Sequence, residues 1–144
     1  MNPMKVSEQF AMPEGTGLEK QRQYVTACIG MALAILVPVP TQEIEGQSGR
    51  DYFFANAQGL RDTMFKVNEV VPFDVDRALE SGYALWSRRY EIALKPTPSD
   101  LFTSYDFRVV VSQHIPELSD LPVDVARVGS TVAFLKECTE VPAQ

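Results

Sequence analysis

The stretch VTACIGMALAILVPVP, Val25 to Pro40, carries no charged side chain and is the most apolar part of the chain. Whatever this chain folds into must put that stretch somewhere dry. A bilayer-spanning helix needs about 20 predominantly apolar residues. Here Pro38 and Pro40 break helical hydrogen bonding and leave a clean helix only to about Leu36. The flanks, Lys20 and Arg22 before and Glu43 and Glu45 after, would fit insertion with the preceding segment on the cytoplasmic side, yet such flanks also border ordinary core helices. A secretory signal would need a basic start and a small-x-small cleavage site. Glu8, Glu14 and Glu19 precede the run, and PVPTQEIEG offers no such site. The reading is therefore a buried helix, with Thr16 as N-cap and Glu19 as its capping-box partner. Leu18, Val25, Ile29, Leu33 and Leu36 fall on one side, and Ala27, Met31, Ala32 and Ala34 make the other sides apolar too. A helix apolar all round belongs in the middle of a bundle.

The rest of the chain is punctuated by proline. Ser48 followed by Asp51 marks a helix start, Phe53, Ala57, Leu60, Met64, Val67 and Val71 recur every three or four residues, and Pro72 stops the pattern. From Asp74 to Leu94 one stripe carries Val75, Leu79, Gly82, Trp86, Tyr90 and Ala93, ended by Pro96 and Pro98. A further helix is expected from Ser99, with Leu101, Tyr105 and Val109, to Pro116; the same region, FRVVVSQ with YEIAL, is β-branched enough to pair as strands. A last helix opens at Asp120 and Pro122 and carries Val125, Val128, Val132 and Leu135. The expected fold is mainly α, an irregular bundle of about five helices, with an α+β domain built on a small sheet from residues 90–112 as the alternative. Residues 1–15, with Pro3, Pro13 and Gly15 and no period, read as an N-terminal arm, residues 16–138 as a single helical domain, and residues 139–144 as a C-terminal tail.

A length of 144 residues suits one core. The formal net charge of −6 disfavours direct contact with a nucleic-acid backbone and suits a basic partner surface. Two cysteines, Cys28 and Cys138, have no spacing that suits a zinc site or a redox pair, so both are expected as reduced thiols in a cytoplasmic protein. The single histidine, His114, sits beside Pro116 at an expected helix end, where a surface cap explains it more simply than catalysis. Asp74 and Asp76 could offer oxygen ligands to a divalent cation, but two acids in a first helical turn are what the helix dipole favours. No catalytic residue, resident metal or cofactor is assigned.

One cluster points towards binding. In WSRRY, Trp86 to Tyr90, aromatic and guanidinium groups interleave, and these residue types dominate interface hot spots. Helical phase puts Trp86 and Tyr90 on the core stripe and turns Arg88 and Arg89 outward. In DYFF, Asp51 to Phe54, neighbouring aromatics point in different directions, so at least one is expected to face outward. The candidate partner-binding residues are thus Trp86, Arg88, Arg89, Tyr90, Tyr52 and Phe53. The expected function is a non-enzymatic protein-binding module, an inhibitor, adaptor or assembly factor whose partner is another protein or protein complex. The alternatives are a structural subunit of a larger viral or secretion assembly, with homo-oligomerisation open, and a small carboxylate enzyme using a divalent cation at Asp74 and Asp76. A membrane partner is disfavoured.

Overall fold

A computed structural model describes residues 3–94 and 125–140, and in them the chain is a mainly helical bundle of five helices without a β-strand. They are α1 (Pro3–Gln9), α2 (Leu18–Leu36), α3 (Gly49–Val70), α4 (Val75–Leu94) and α5 (Val125–Glu140). Tyr90–Leu94, one half of the alternative sheet, is the last turn of α4. The expected helix from Ser99 to Pro116, the remainder of that sheet, and His114 lie outside the described residues.

The apolar run forms the central rod. Every residue of α2 from Tyr24 to Ala34 is buried, packed by α4 on one side and α5 on another. No helix among the described residues is long and apolar enough to cross a membrane. Ile29 and Leu33 are at the heart of the core together with Phe53, Met64, Leu85, Trp86 and Leu135. The first turn departs from expectation. Leu18 is 83% exposed, and the N-cap is Gly17, with no side-chain bond, so the Thr16–Glu19 capping box does not form. The reason is a turn just upstream: Thr16 N donates to Pro13 O across 3.1 Å, and Gly15 takes a φ of +91°. Only glycine adopts that conformation without strain, and it fixes Thr16 inside the turn instead of at the helix mouth. At the far end Val37 is extended, as a residue before proline must be, and α2 stops at Leu36.

The stripes on α3, α4 and α5 bury at most of their positions, with Leu60, Tyr90, Ala93 and Val132 only partly covered. Phe53, Ala57, Met64 and Val67 on α3, Val75, Leu79, Gly82 and Trp86 on α4, and Val128 and Leu135 on α5 are all core. Ser48 caps α3 through its hydroxyl, which accepts from Asp51 N at 3.1 Å. Asp74 caps α4 the same way, its Oδ1 accepting from Arg77 N at 3.0 Å. The one buried hydroxyl in the apolar run ties these parts together: Thr26 Oγ1 donates to Arg22 O and accepts from Asp74 N, joining α2 to the start of α4. Among the described residues no buried side-chain nitrogen or oxygen lacks a hydrogen-bond partner.

The segment read as an irregular arm is different. Its residues 3–9 are helical, and Val6 and Phe10, four apart, are fully buried against the bundle. Pro3 occupies the first helical position, where its missing N–H costs nothing. Two apolar residues are too few to show a period, so the helix is imposed by what it docks on.

Candidate protein-contact surface

Four of the six candidate residues form one cluster, Tyr52, Phe53 and Tyr90 around Trp86. Trp86 has no exposed surface, and Tyr52, Tyr83 and Tyr90 stack beside its ring with centroids 5.7, 6.4 and 5.2 Å away. Phe53 meets it at 5.7 Å and is buried as completely. The indole N–H donates to the carbonyl of Pro38 at 3.0 Å, and the Tyr90 hydroxyl accepts from Ile44 N at 2.8 Å. The cluster thereby holds the connection between α2 and α3 against α4. Trp86 and Phe53 could meet a partner only if the core opened.

The two arginines part company. Arg89 reaches back to α2 and donates to the Ala34 carbonyl at 2.8 Å, one of the four carbonyls a helix end leaves without an internal partner. Its positive charge there also suits the negative end of the helix dipole. Arg88 is on the surface, 3.8 Å from Glu91 one turn on. Tyr52 and Tyr90 are half-buried, each with one edge towards solvent.

What adjacency in sequence suggested for WSRRY, the structure assembles instead along α3. Arg50 lies over the Phe54 ring at 4.6 Å and over Tyr83 of α4 at 5.3 Å, while its fork grips the Glu80 carboxylate. The hydrogen bond to Glu80 raises the already high pKa of this guanidinium, so its charge is permanent. Two turns further on, Arg61 covers the Phe65 ring at 5.8 Å, and Phe65 is 47% exposed. Positions 50, 54, 61 and 65 share one flank of the helix, giving a guanidinium–aromatic ladder with its most open rung at Phe65. Phe65 is the residue sequence reasoning missed. It directly follows the stripe position Met64, and an arginine four residues earlier was the available signal.

Two hollows open on other faces. One, of about 220 Å³, is polar and lies where α2 meets the start of α4, lined by Glu19, Arg22, Gln23, Thr26, Asp74 and Arg77. The other is a broad depression over the Pro13–Thr16 turn. Asp74, considered as a cation ligand, spends Oδ1 on the cap, and among the described residues no group of three His, Cys, Asp or Glu side chains could hold a metal ion. Cys28 and Cys138 are free thiols, the first in the core and the second half-buried.

Comparison with known proteins gives no similarity: no family model matches the chain, and no curated protein and no solved structure resembles it significantly.

Proposed function

We propose that the protein is a binding module that works by occupying the surface of another protein, with the α3 flank as its contact face. The observation that carries this reading is Phe65, a large aromatic side chain left half in water beneath Arg61, in line with the Arg50–Phe54–Tyr83 stack. Exposed phenylalanine beside a guanidinium offers a large, stiff contact area with a charge that can fork to a carboxylate or carbonyl. The aromatic cluster around Trp86 holds the first turns of α3 on α4, so the Arg50–Phe54 end of the face is preorganised and loses little ordering entropy on contact. The protein would act as an inhibitor, adaptor or assembly factor.

The test compares wild-type protein with Phe65→Ala and with Arg61→Glu as affinity bait in extract of the native host. The expected result is a stoichiometric partner held by wild type and lost from both variants while their circular dichroism stays native. Recovery of the same partner by all three proteins would overturn the assignment of the face. Failure of the wild-type bait to retain any stoichiometric partner would count against the binding reading itself.

A further inference from the structure

Helix α1 sits on the bundle as a bound peptide sits on its receptor. Seven residues are well short of the roughly 12–15 an isolated helix needs in water, so α1 owes its form to the surfaces of α3 and α5 it lies against. Its contacts follow the pattern of a helix in a groove. Val6 and Phe10 point inward and lose all exposure, and Phe10 meets the Phe134 ring edge-on with centroids 5.9 Å apart. Between them the Gln9 amide donates to Ser130 Oγ at 2.8 Å. At the end of the helix Arg127 donates through one nitrogen to the carbonyl of Gln9 and through the other to that of Ala11. The Gln9 carbonyl is one that the helix C-terminus leaves open and Ala11 lies two residues past the end, so Arg127 marks the place where the docked helix stops. The other face, Met4, Lys5, Ser7 and Glu8, is exposed, and so is most of the connection to α2 from Ala11 to Gly17.

From this we infer that the groove between α3 and α5 is a helix-docking site that α1 fills in cis, and that its occupant in trans is a short amphipathic helix of another protein. That helix carries apolar residues four apart, a glutamine or asparagine just before the second, and a C-terminus at that point for Arg127 to clamp. The side chains that hold α1 here, Arg127, Ser130 and Phe134 of α5, are not those of the Phe65 face, so either reading can fail without the other. Tethering makes α1 a competitor at an effective concentration on the order of millimolar, which keeps the groove closed to weak ligands. Weakening α1 should therefore strengthen a peptide added from outside.

The experiment uses the full chain and a labelled peptide, PMKVSEQFAM, identical to residues 3–12, with binding read by fluorescence anisotropy. Wild-type protein should bind it weakly, and full-length Phe10→Ala at least about tenfold more tightly, because the cis competitor is impaired. A peptide with Val6 and Phe10 both replaced by alanine should not bind, a control that does not depend on folding of any protein variant. No saturable binding to a Phe10→Ala protein with native circular dichroism, or equal binding of the alanine peptide, would overturn the inference. Hydrogen exchange of the wild-type chain serves if Phe10→Ala does not fold: amides of residues 7–10 should exchange through a local opening, and exchange only by global unfolding would overturn it. A concentration-dependent wild-type dimer that exchanges α1 between copies would overturn the assignment to a different protein and give the groove to a second copy.

Discussion

Gly82 on α4 faces Gly30 on α2 so closely that a Cβ at Gly82 would stand 2.9 Å from the Gly30 carbonyl oxygen, with Leu33 Cβ at 3.2 Å and Phe53 Cζ at 3.3 Å. This is the point where the two most intimately packed helices of the bundle touch backbone to backbone. A methyl group at Gly82 has nowhere to go, because the nearest atom belongs to the main chain. Gly82→Ala should lose about 1–3 kcal/mol to overpacking and regain about 1 kcal/mol of helix propensity, a net loss of up to roughly 2 kcal/mol. Gly30→Ala should cost a similar amount, since its Cβ would run into the buried Ser81 hydroxyl, which is bonded to the Ala78 carbonyl, and would stand 3.1 Å from that carbonyl itself. Gly59, exposed on α3 with nothing near its missing Cβ, is the control: Gly59→Ala should gain about 0.5–1 kcal/mol. Urea midpoints at unchanged m-value read all three.

Trp86 is the only tryptophan, so its fluorescence reports the core directly. Fully buried among four aromatic rings, it should emit to the blue of the unfolded chain and resist acrylamide until denaturant exposes it. Trp86→Phe removes both ring area and the hydrogen bond to Pro38 O, and should cost about 1–3 kcal/mol. A native protein whose tryptophan quenches freely would contradict this packing.

Cap chemistry separates residues that look equivalent in sequence. Ser48 and Asp74 each accept a backbone N–H at a helix start, so Ser48→Ala and Asp74→Ala should each lose about 1 kcal/mol. Thr16, placed in the Pro13–Thr16 turn, caps nothing, and Thr16→Ala should stay within about 0.5 kcal/mol of wild type. Gly17 is the true N-cap of α2, has negative φ and has open space around it. Gly17→Asp should therefore stabilise by a few tenths of a kcal/mol, seen as a higher urea midpoint.

The helices legible in the sequence are those whose burial follows a period. Phe53 to Val71 and Val75 to Trp86 repeat at three and four residues and bury accordingly, and the unbroken apolarity of Val25 to Ala34 correctly marks the rod with neighbours on several sides. α1 was hidden because only Val6 within it and Phe10 just past it are buried, too few to set a period, and its polar partner, Arg127, is more than a hundred residues away in sequence. Arg89 was hidden for a related reason. It stands seven residues after Gly82 and three after Trp86, at the edge of the buried stripe and not outward as expected, and the carbonyl that claims it is a helix end, which leaves no mark in a residue string. Trp86 was legible from phase alone, since it falls on the Val75–Leu79–Gly82 stripe, whereas the pairing of Arg61 with Phe65 required looking for cation and ring one turn apart outside the core stripe.

Cys28 and Cys138 should differ sharply in reactivity. Cys28 has no exposed surface and should resist iodoacetamide until the protein unfolds. Cys138 can be reached, but burial and, second, the neighbouring Glu137 carboxylate push its thiol pKa up against the lowering pull of Lys5 and Lys66. Its alkylation at pH 8 should be slower than that of a free thiol, and its rate profile displaced to higher pH. The same shift has a consequence for stability. With the folded pKa above the unfolded one, the folded state holds a proton that the unfolded chain releases. The contribution is fully present below the unfolded thiol's pKa and is lost as pH rises through the folded value. Serine at this position does not titrate, so between pH 7 and pH 10 wild type should lose stability relative to Cys138→Ser. Equal slopes for the two proteins would show that the thiol has an ordinary pKa and that α5 does not bury it against its neighbours.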